Sequence, residues 1–280
     1  MTTKGIKSDF TPGKAAWLFL NSLSLFLIAY IFIYVVSGLS TLYIAYDMDI
    51  PARMFPKSIV FDLADDSPLW TADAIVSVFM ATPFACLMMG LASLMTYQLS
   101  AGMSTSKLFF LIWLFLHSFN LSFGLFSEDL IMGQGVARVA DVFGFNLAIS
   151  VVSIGFSSYF LIRAGNFAGK MIANSMNINM INTFKSRLAV WFWSFLLPWI
   201  AGGSFLLLSD YKEIAPKEFI LLGFLLLIIL PIPFVRQAPV SQNQVCVIPN
   251  KKHILVNVLI AGISYLAFQY FLGDGIRLGE

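Results

Sequence analysis

The chain has 280 residues, of which 59% are hydrophobic and only 11% charged, and its net charge is +2. Soluble domains carry roughly 25% charged residues, and a charge at the centre of a spanning helix costs about 2.5–3.5 kcal/mol, so this composition excludes an ordinary soluble domain. The small net charge, with Lys and Arg scattered in ones and twos, leaves no basic stripe for a nucleic acid.

Lys4, Lys7 and Lys14 precede an uncharged run from Ala15 to Tyr46. A secretory apolar core is about 7–15 residues long, so this longer run reads as an uncleaved first span. A helix crossing a hydrocarbon core about 30 Å thick needs about 20 residues. By that measure spans are expected at 16–38, 72–97, 108–127, 142–163, 188–209, 219–235 and 254–272. The fold class is therefore all-α: a single integral membrane domain over residues 1–280, a bundle of seven transmembrane helices.

Between the first two spans lies a long acidic loop, with Asp47, Asp49, Asp62, Asp65 and Asp66 beside Arg53 and Lys57. Its centre, FPKSIVFDL, is expected as a short helix on the membrane surface. The acids lack the spacing and turn glycine of a calcium loop. Ser67-Pro68 reads as an N-cap and first-turn proline opening the second span.

The third span carries His117, ten residues beyond Lys107 and so roughly 15 Å deep at about 1.5 Å per residue. Trp113, His117, Asn120 and Gly124 are spaced four, three and four, which puts them on one helical face. The fourth span repeats that spacing with Asn146, Ser150, Ser153 and Ser157. A short connection makes the two helices expected neighbours, with His117 level with Ser150 and Ser153. Two readings fit. Small and polar residues can act as glue between helices, worth on average about 0.6 kcal/mol each. Alternatively they line an outward-opening polar pocket built from His117, Asn120, Asn146, Ser150 and Ser153, with Asp73, Glu128, Asp129 and Asp141 at its rim. A single histidine is a poor metal site, so no metal and no cofactor is expected. The Gly133-Gln134-Gly135 segment reads as a turn.

The connection 164–187 alternates Asn with Phe, Met and Ile. It is expected as a weakly amphipathic interfacial helix, and as the place where partner subunits could attach. In the fifth span Pro198 must release the carbonyl of Ser194 and bend the helix. Trp191 and Trp193 read as interfacial anchors, and Thr82-Pro83 is a second break. Cys86 and Cys246 form no disulfide framework.

Placing the N-terminus inside puts eleven Lys and Arg residues on the inner side and six on the outer, with fourteen of fifteen acids outside. The Lys and Arg excess sets orientation: N-terminus cytoplasmic, C-terminus outside. Compact loops and the lack of a cysteine framework suit a bacterial cytoplasmic membrane.

No span carries a mid-membrane Asp, Glu, Lys or Arg, which argues against proton pumps and voltage sensors. No Walker loop, HExxH or GxSxG occurs. The leading expectation is a non-enzymatic subunit of a membrane complex. The alternative is a small-molecule or lipid transporter with its pocket between the third and fourth helices, and an intramembrane enzyme ranks third. A transporter requires a continuous polar cavity reaching His117. The orientation gives a direct test. Single cysteines at Ser67 and Gly133 are expected to react with an impermeant thiol reagent in intact cells, and one at Ser175 only after permeabilisation.

Overall fold

The computed structural model describes residues 12–100, 102–176, 181, 183–208, 216–235 and 250–278. Lys4, Lys7, Asp9, Asn177, Asn179, Met180, Asn182, Arg236, Cys246 and Glu280 lie outside the described residues.

Among the described residues, seven helices are long and apolar enough to cross a membrane: Gly13–Asp47, Ala72–Leu99, Thr105–Met132, Leu147–Ser175, Phe184–Leu208, Pro216–Phe234 and Lys251–Leu272. The protein is a multi-pass helical membrane protein, and these helices are numbered below as spans one to seven. Helices are the natural solution because hydrocarbon offers no partner to an unpaired amide or carbonyl. Span three is the centre of the bundle, with 78% of its most apolar stretch buried against 17% for spans four and seven. It packs on spans one, two, four and six, and span one also touches spans two, five and seven. Large apolar side chains on span four (Leu147, Val152, Phe156) and span seven (Leu259, Leu266, Phe271) remain exposed, as helices facing lipid require.

The loop between spans one and two is not a surface helix. It forms an antiparallel hairpin of β1 (Ala52–Met54) and β2 (Ile59–Phe61). Pro56 fixes the turn, which closes with Phe55 N donating to Ser58 O at 2.8 Å. The β-branched Ile59 and Val60 suit a strand better than a helix. Residues after span seven return to this hairpin, where Met54 and Ile276 exchange two backbone hydrogen bonds of 2.9 Å. Arg53 grips Asp62 through two 2.8 Å bonds and holds its carboxyl below the ordinary range.

Several boundaries differ from the sequence expectation: span one runs on to Asp47 and span three to Met132, and span four is displaced at both ends. Span four begins at Leu147, because Val136–Val142 forms a separate short helix and Asn146 is the N-cap, its side chain accepting from Ile149 N at 3.0 Å. At its other end, span four continues to Ser175, so residues 164–175 are not an interfacial helix. Ala164, Gly165, Ala168, Gly169, Met171 and Ile172 are buried there. Gly165 and Gly169 let the sixth span approach: a Cβ on Gly165 would overlap the carbonyl of Ile228, and one on Gly169 would press Val235 and the Ile232 carbonyl. This is the small-xxx-small contact common between membrane helices. Ser175 is buried under Tyr97, whose hydroxyl is 3.1 Å away, so the exposed Lys185 is the better position for the inner cysteine label.

Gly165→Ala is expected to cost about 1–3 kcal/mol, as overpacking against immovable backbone does, and to loosen spans four and six. Gly155→Ala, where an added Cβ meets nothing within 4 Å, should be neutral or stabilising. Reversible unfolding in bicelles measures both.

Candidate functional site

Proline breaks two of the spans and exposes carbonyls that other helices satisfy. Span five contains a π-helical turn, Phe192–Leu196, just before Pro198. The Ser194 carbonyl, which Pro198 cannot bond, accepts from the Ser22 hydroxyl of span one. Ser22 Oγ in turn accepts from Trp113 Nε1 at 2.8 Å. Spans one, three and five are joined in that one relay. Near the end of span six, Pro233 leaves the Ile229 carbonyl without its amide, and Trp191 Nε1 donates to it at 2.8 Å. Trp191 thus serves a helix–helix bond and not a lipid interface. A separate cluster, Asn21, Ser106 and Asn257, ties spans one, three and seven through bonds of 2.9–3.2 Å.

Above the Trp113 relay lies a cavity of about 420 Å³. Its shaft is aromatic and aliphatic, with Phe26, Tyr30, Tyr34, Phe79, Leu121 and Leu222 among its walls. His117 and Asn120 also line it. Toward the hairpin face its lining becomes charged, with Glu128, Asp129, Lys57, Lys217 and Glu218. The hairpin overhangs this end. Tyr34 Oη donates to Phe55 O at 2.7 Å, and Lys57 Nζ donates to Leu207 O at 3.3 Å and stands 3.5 Å from Glu218.

Local structure aims these groups inward. Span three changes to a π-helical turn over Asn120–Gly124, a wider turn often found at functional sites. Asn120 Nδ2 donates to Leu221 O of span six at 3.1 Å. His117 is 3% exposed and sits in an aromatic box, its ring centroid 4.6 Å from Phe26, 5.6 Å from Tyr30 and 5.7 Å from Trp113. The imidazole hydrogen-bonds the Phe26 backbone, and its Nε2 has no partner. Asp129 accepts from Val136 N at 2.9 Å across the Gly133–Gly135 turn. Gly135 has a left-handed φ of 47°, and a Cβ there would overlap the Asp129 carboxylate, so the turn is shaped around that side chain.

Of the residues singled out from the sequence, His117, Asn120, Glu128 and Asp129 line this cavity. Asn146, Ser150, Ser153, Asp73 and Asp141 do not. Spans three and four do pack together, with Phe123 stacked on Phe160 at 5.1 Å. In antiparallel register that stacking sets Ser150 and Ser153 opposite the end of span three, roughly 20 Å of helix from the level of His117. The mismatch arises because span three runs on to Met132 and span four starts late, at Leu147. The face bearing His117 and Asn120 turns to spans one and six, so the cavity is bounded by spans one, two, three, five and six. Asp73 and Asp141 are exposed.

Among the cavity residues that sequence reasoning missed are Tyr30, Tyr34, Lys57, Lys217 and Glu218. A signal existed for span one: Tyr30, Tyr34, Ser37 and Thr41 repeat the spacing of four, three and four, and all four line the cavity. Nothing in the chain connects Lys57 or Glu218 to that stripe before folding.

Among the described residues, no three His, Cys, Asp or Glu side chains are grouped to hold a metal ion. No family model, curated protein or solved structure matches the chain.

The relay gives a prediction. Ser22→Ala strands both the Trp113 indole N–H and the Ser194 carbonyl in a dry core, and is expected to cost about 1–3 kcal/mol. Ser40→Ala removes a hydroxyl that bonds only Val36 O of its own helix, at 2.9 Å, and should change little. Unfolding of the two variants in bicelles compares them.

Proposed function

We propose that the protein is a membrane carrier for a small amphipathic molecule, which it holds in the cavity beneath the hairpin. The carrying observation is the cavity itself, about 420 Å³ in volume and within the roughly 300–1,000 Å³ usual for ligand sites. It extends from a charged end to His117 through an apolar shaft, so it reaches the expected depth without being polar throughout. An apolar shaft with a charged entrance suits a molecule with a polar head and an apolar body. The broken helices around it support movement: the π-helical turns in spans three and five and Pro83 in span two are places where helices can bend.

In this reading the excess of Lys and Arg at the opposite face orients the N-terminus toward the cytoplasm of a bacterial cell. The cavity then faces outward. A purely structural subunit would account for the apolar surfaces of spans four and seven. It gives no reason for polar atoms left unpartnered around one cavity. Attachment of partner subunits through 164–187 has less to stand on, since residues 164–175 continue span four and eight of them are buried in the bundle.

Leu125→Trp is expected to fill the cavity, whereas Leu147→Trp, on an 81% exposed lipid-facing residue, should not. Native mass spectrometry of protein in nanodiscs should find a small molecule retained by the wild type and Leu147→Trp and absent from Leu125→Trp. Proteoliposomes should then take up the recovered molecule only when they contain the wild type or Leu147→Trp. Equal retention by all three proteins would overturn the proposal.

A further inference from the structure

Among the described residues, four of the eight buried polar side-chain atoms without a hydrogen-bond partner line this one cavity: His117 Nε2, Asn120 Oδ1, Glu128 Oε1 and Glu218 Oε2. Each of the four can accept a hydrogen bond. Asn120 already donates its amide to Leu221 O. Carboxylate oxygens accept. The imidazole spends its donor on the Phe26 backbone, which leaves Nε2 with a lone pair.

Buried acceptors left unmatched cost free energy, and native proteins rarely keep several together without a purpose. Glu128 is the sharpest case, being 2% exposed on a membrane-spanning helix. An ionisable group in that setting marks a functional site by default. The neighbouring charges do not cancel it. Glu128, Asp129 and Glu218 face only Lys57 and Lys217 in the lining. Lys57 is engaged with Glu218 and the Leu207 carbonyl, and Asp129 with the Val136 amide. Lys217 lies close enough for its charge to be felt by Glu128 and Asp129, yet no ion pair within 4 Å joins it to either among the described residues.

Resting on the carrier reading, we infer that the ligand is an elongated amine. Its ammonium group donates to Glu128 and Glu218 at the charged end. Its apolar body lies along Tyr30, Tyr34 and the leucines of the shaft, and a second donor at its far end reaches His117 or Asn120. The spacing sets the length, since His117 and Glu128 are eleven residues apart on one helix, roughly 16 Å. The aromatic shaft is compatible with a cation passing through it, because ring faces attract positive charge.

The test uses full-length protein in phosphatidylcholine nanodiscs and three probes of equal length: radiolabelled ω-aminododecanol, dodecanediol and ω-hydroxydodecanoate. Binding to empty nanodiscs is subtracted for each. Saturable binding should be tightest for the amine, by about tenfold over the diol, the scale of one hydrogen bond to a charged group, and weakest for the carboxylate. Glu128→Gln should abolish the preference for the amine over the diol. Glu218→Gln should weaken amine binding in the same direction, and serves if Glu128→Gln does not accumulate. Equal affinity for amine and diol, or tighter binding of the carboxylate, refutes the amine assignment and leaves the carrier reading standing. No saturable binding of any probe, with retention by the native protein unaffected by Leu125→Trp, refutes both.

Discussion

An unpaired backbone carbonyl is costly in hydrocarbon, and at two of the places where proline frees one this bundle supplies a partner from another helix. Pro198 and Pro233 each remove an amide that the preceding turn needs. The released carbonyls of Ser194 and Ile229 are met by the Ser22 hydroxyl and the Trp191 indole. Each repair comes from a different span, so correct local bonding is obtained only when the helices are correctly packed. In water the solvent would have met the same carbonyls. In hydrocarbon the alternative is an orphaned group, which turns a local defect into a tertiary constraint.

The Ser22 repair also decides where the cavity can lie. Trp113 must point at span one to donate to Ser22, and that rotation carries His117, one turn further along, onto Phe26 and Tyr30. The π-helical turn at Asn120–Gly124 then brings Asn120 to span six. Glu128 and Asp129, two turns beyond, line the cavity from the helix itself, where the sequence reading set them at a pocket rim just past the span. Below the cavity most polar groups find partners across helices, although Asn21 Nδ2 and Ser194 Oγ do not. Asn21, Ser106 and Asn257 bond to each other across three helices, which is the glue role expected for polar residues in spans. His117 and Asn120 sit only a few turns further along the same helix, yet each leaves an acceptor open. Polar residues in one bundle can therefore serve as glue at one depth and as a ligand surface at another.

The hairpin shows how the loop region is tied to the spans. Tyr34 holds it from below, Lys57 anchors it to spans five and six, and Ile276 clamps it from the C-terminal segment. An exposed ion pair such as Arg53 with Asp62 adds little by itself. The buried cluster formed by Ile50, Ala52 and Met54 with Val78, Phe268 and Leu272 carries more of the attachment.

Hydropathy by itself determined the number of spans and the class of the protein, because transfer into hydrocarbon depends on composition and length and hardly on neighbours. It also marked Pro198 as the residue that frees Ser194, since that follows from covalent structure. Helix ends were less legible. Span three passes through the buried Glu128 to Met132, and span four through the exposed Lys170 to the buried Ser175, because Glu128 and Ser175 find cover that a linear reading cannot see. The spacing of four, three and four was real on span three, but spacing fixes only which residues share a face and not which helix that face meets. Span four was the neighbour in sequence, while the rotation set by Trp113 and the close approach at Gly165 gave the polar face of span three to spans one and six. The joining of Tyr30, Lys57, His117, Glu128 and Glu218 around one cavity belongs to tertiary structure alone, since it depends on the rotation and depth of five helices fixed by packing and by backbone groups that must find partners in one another.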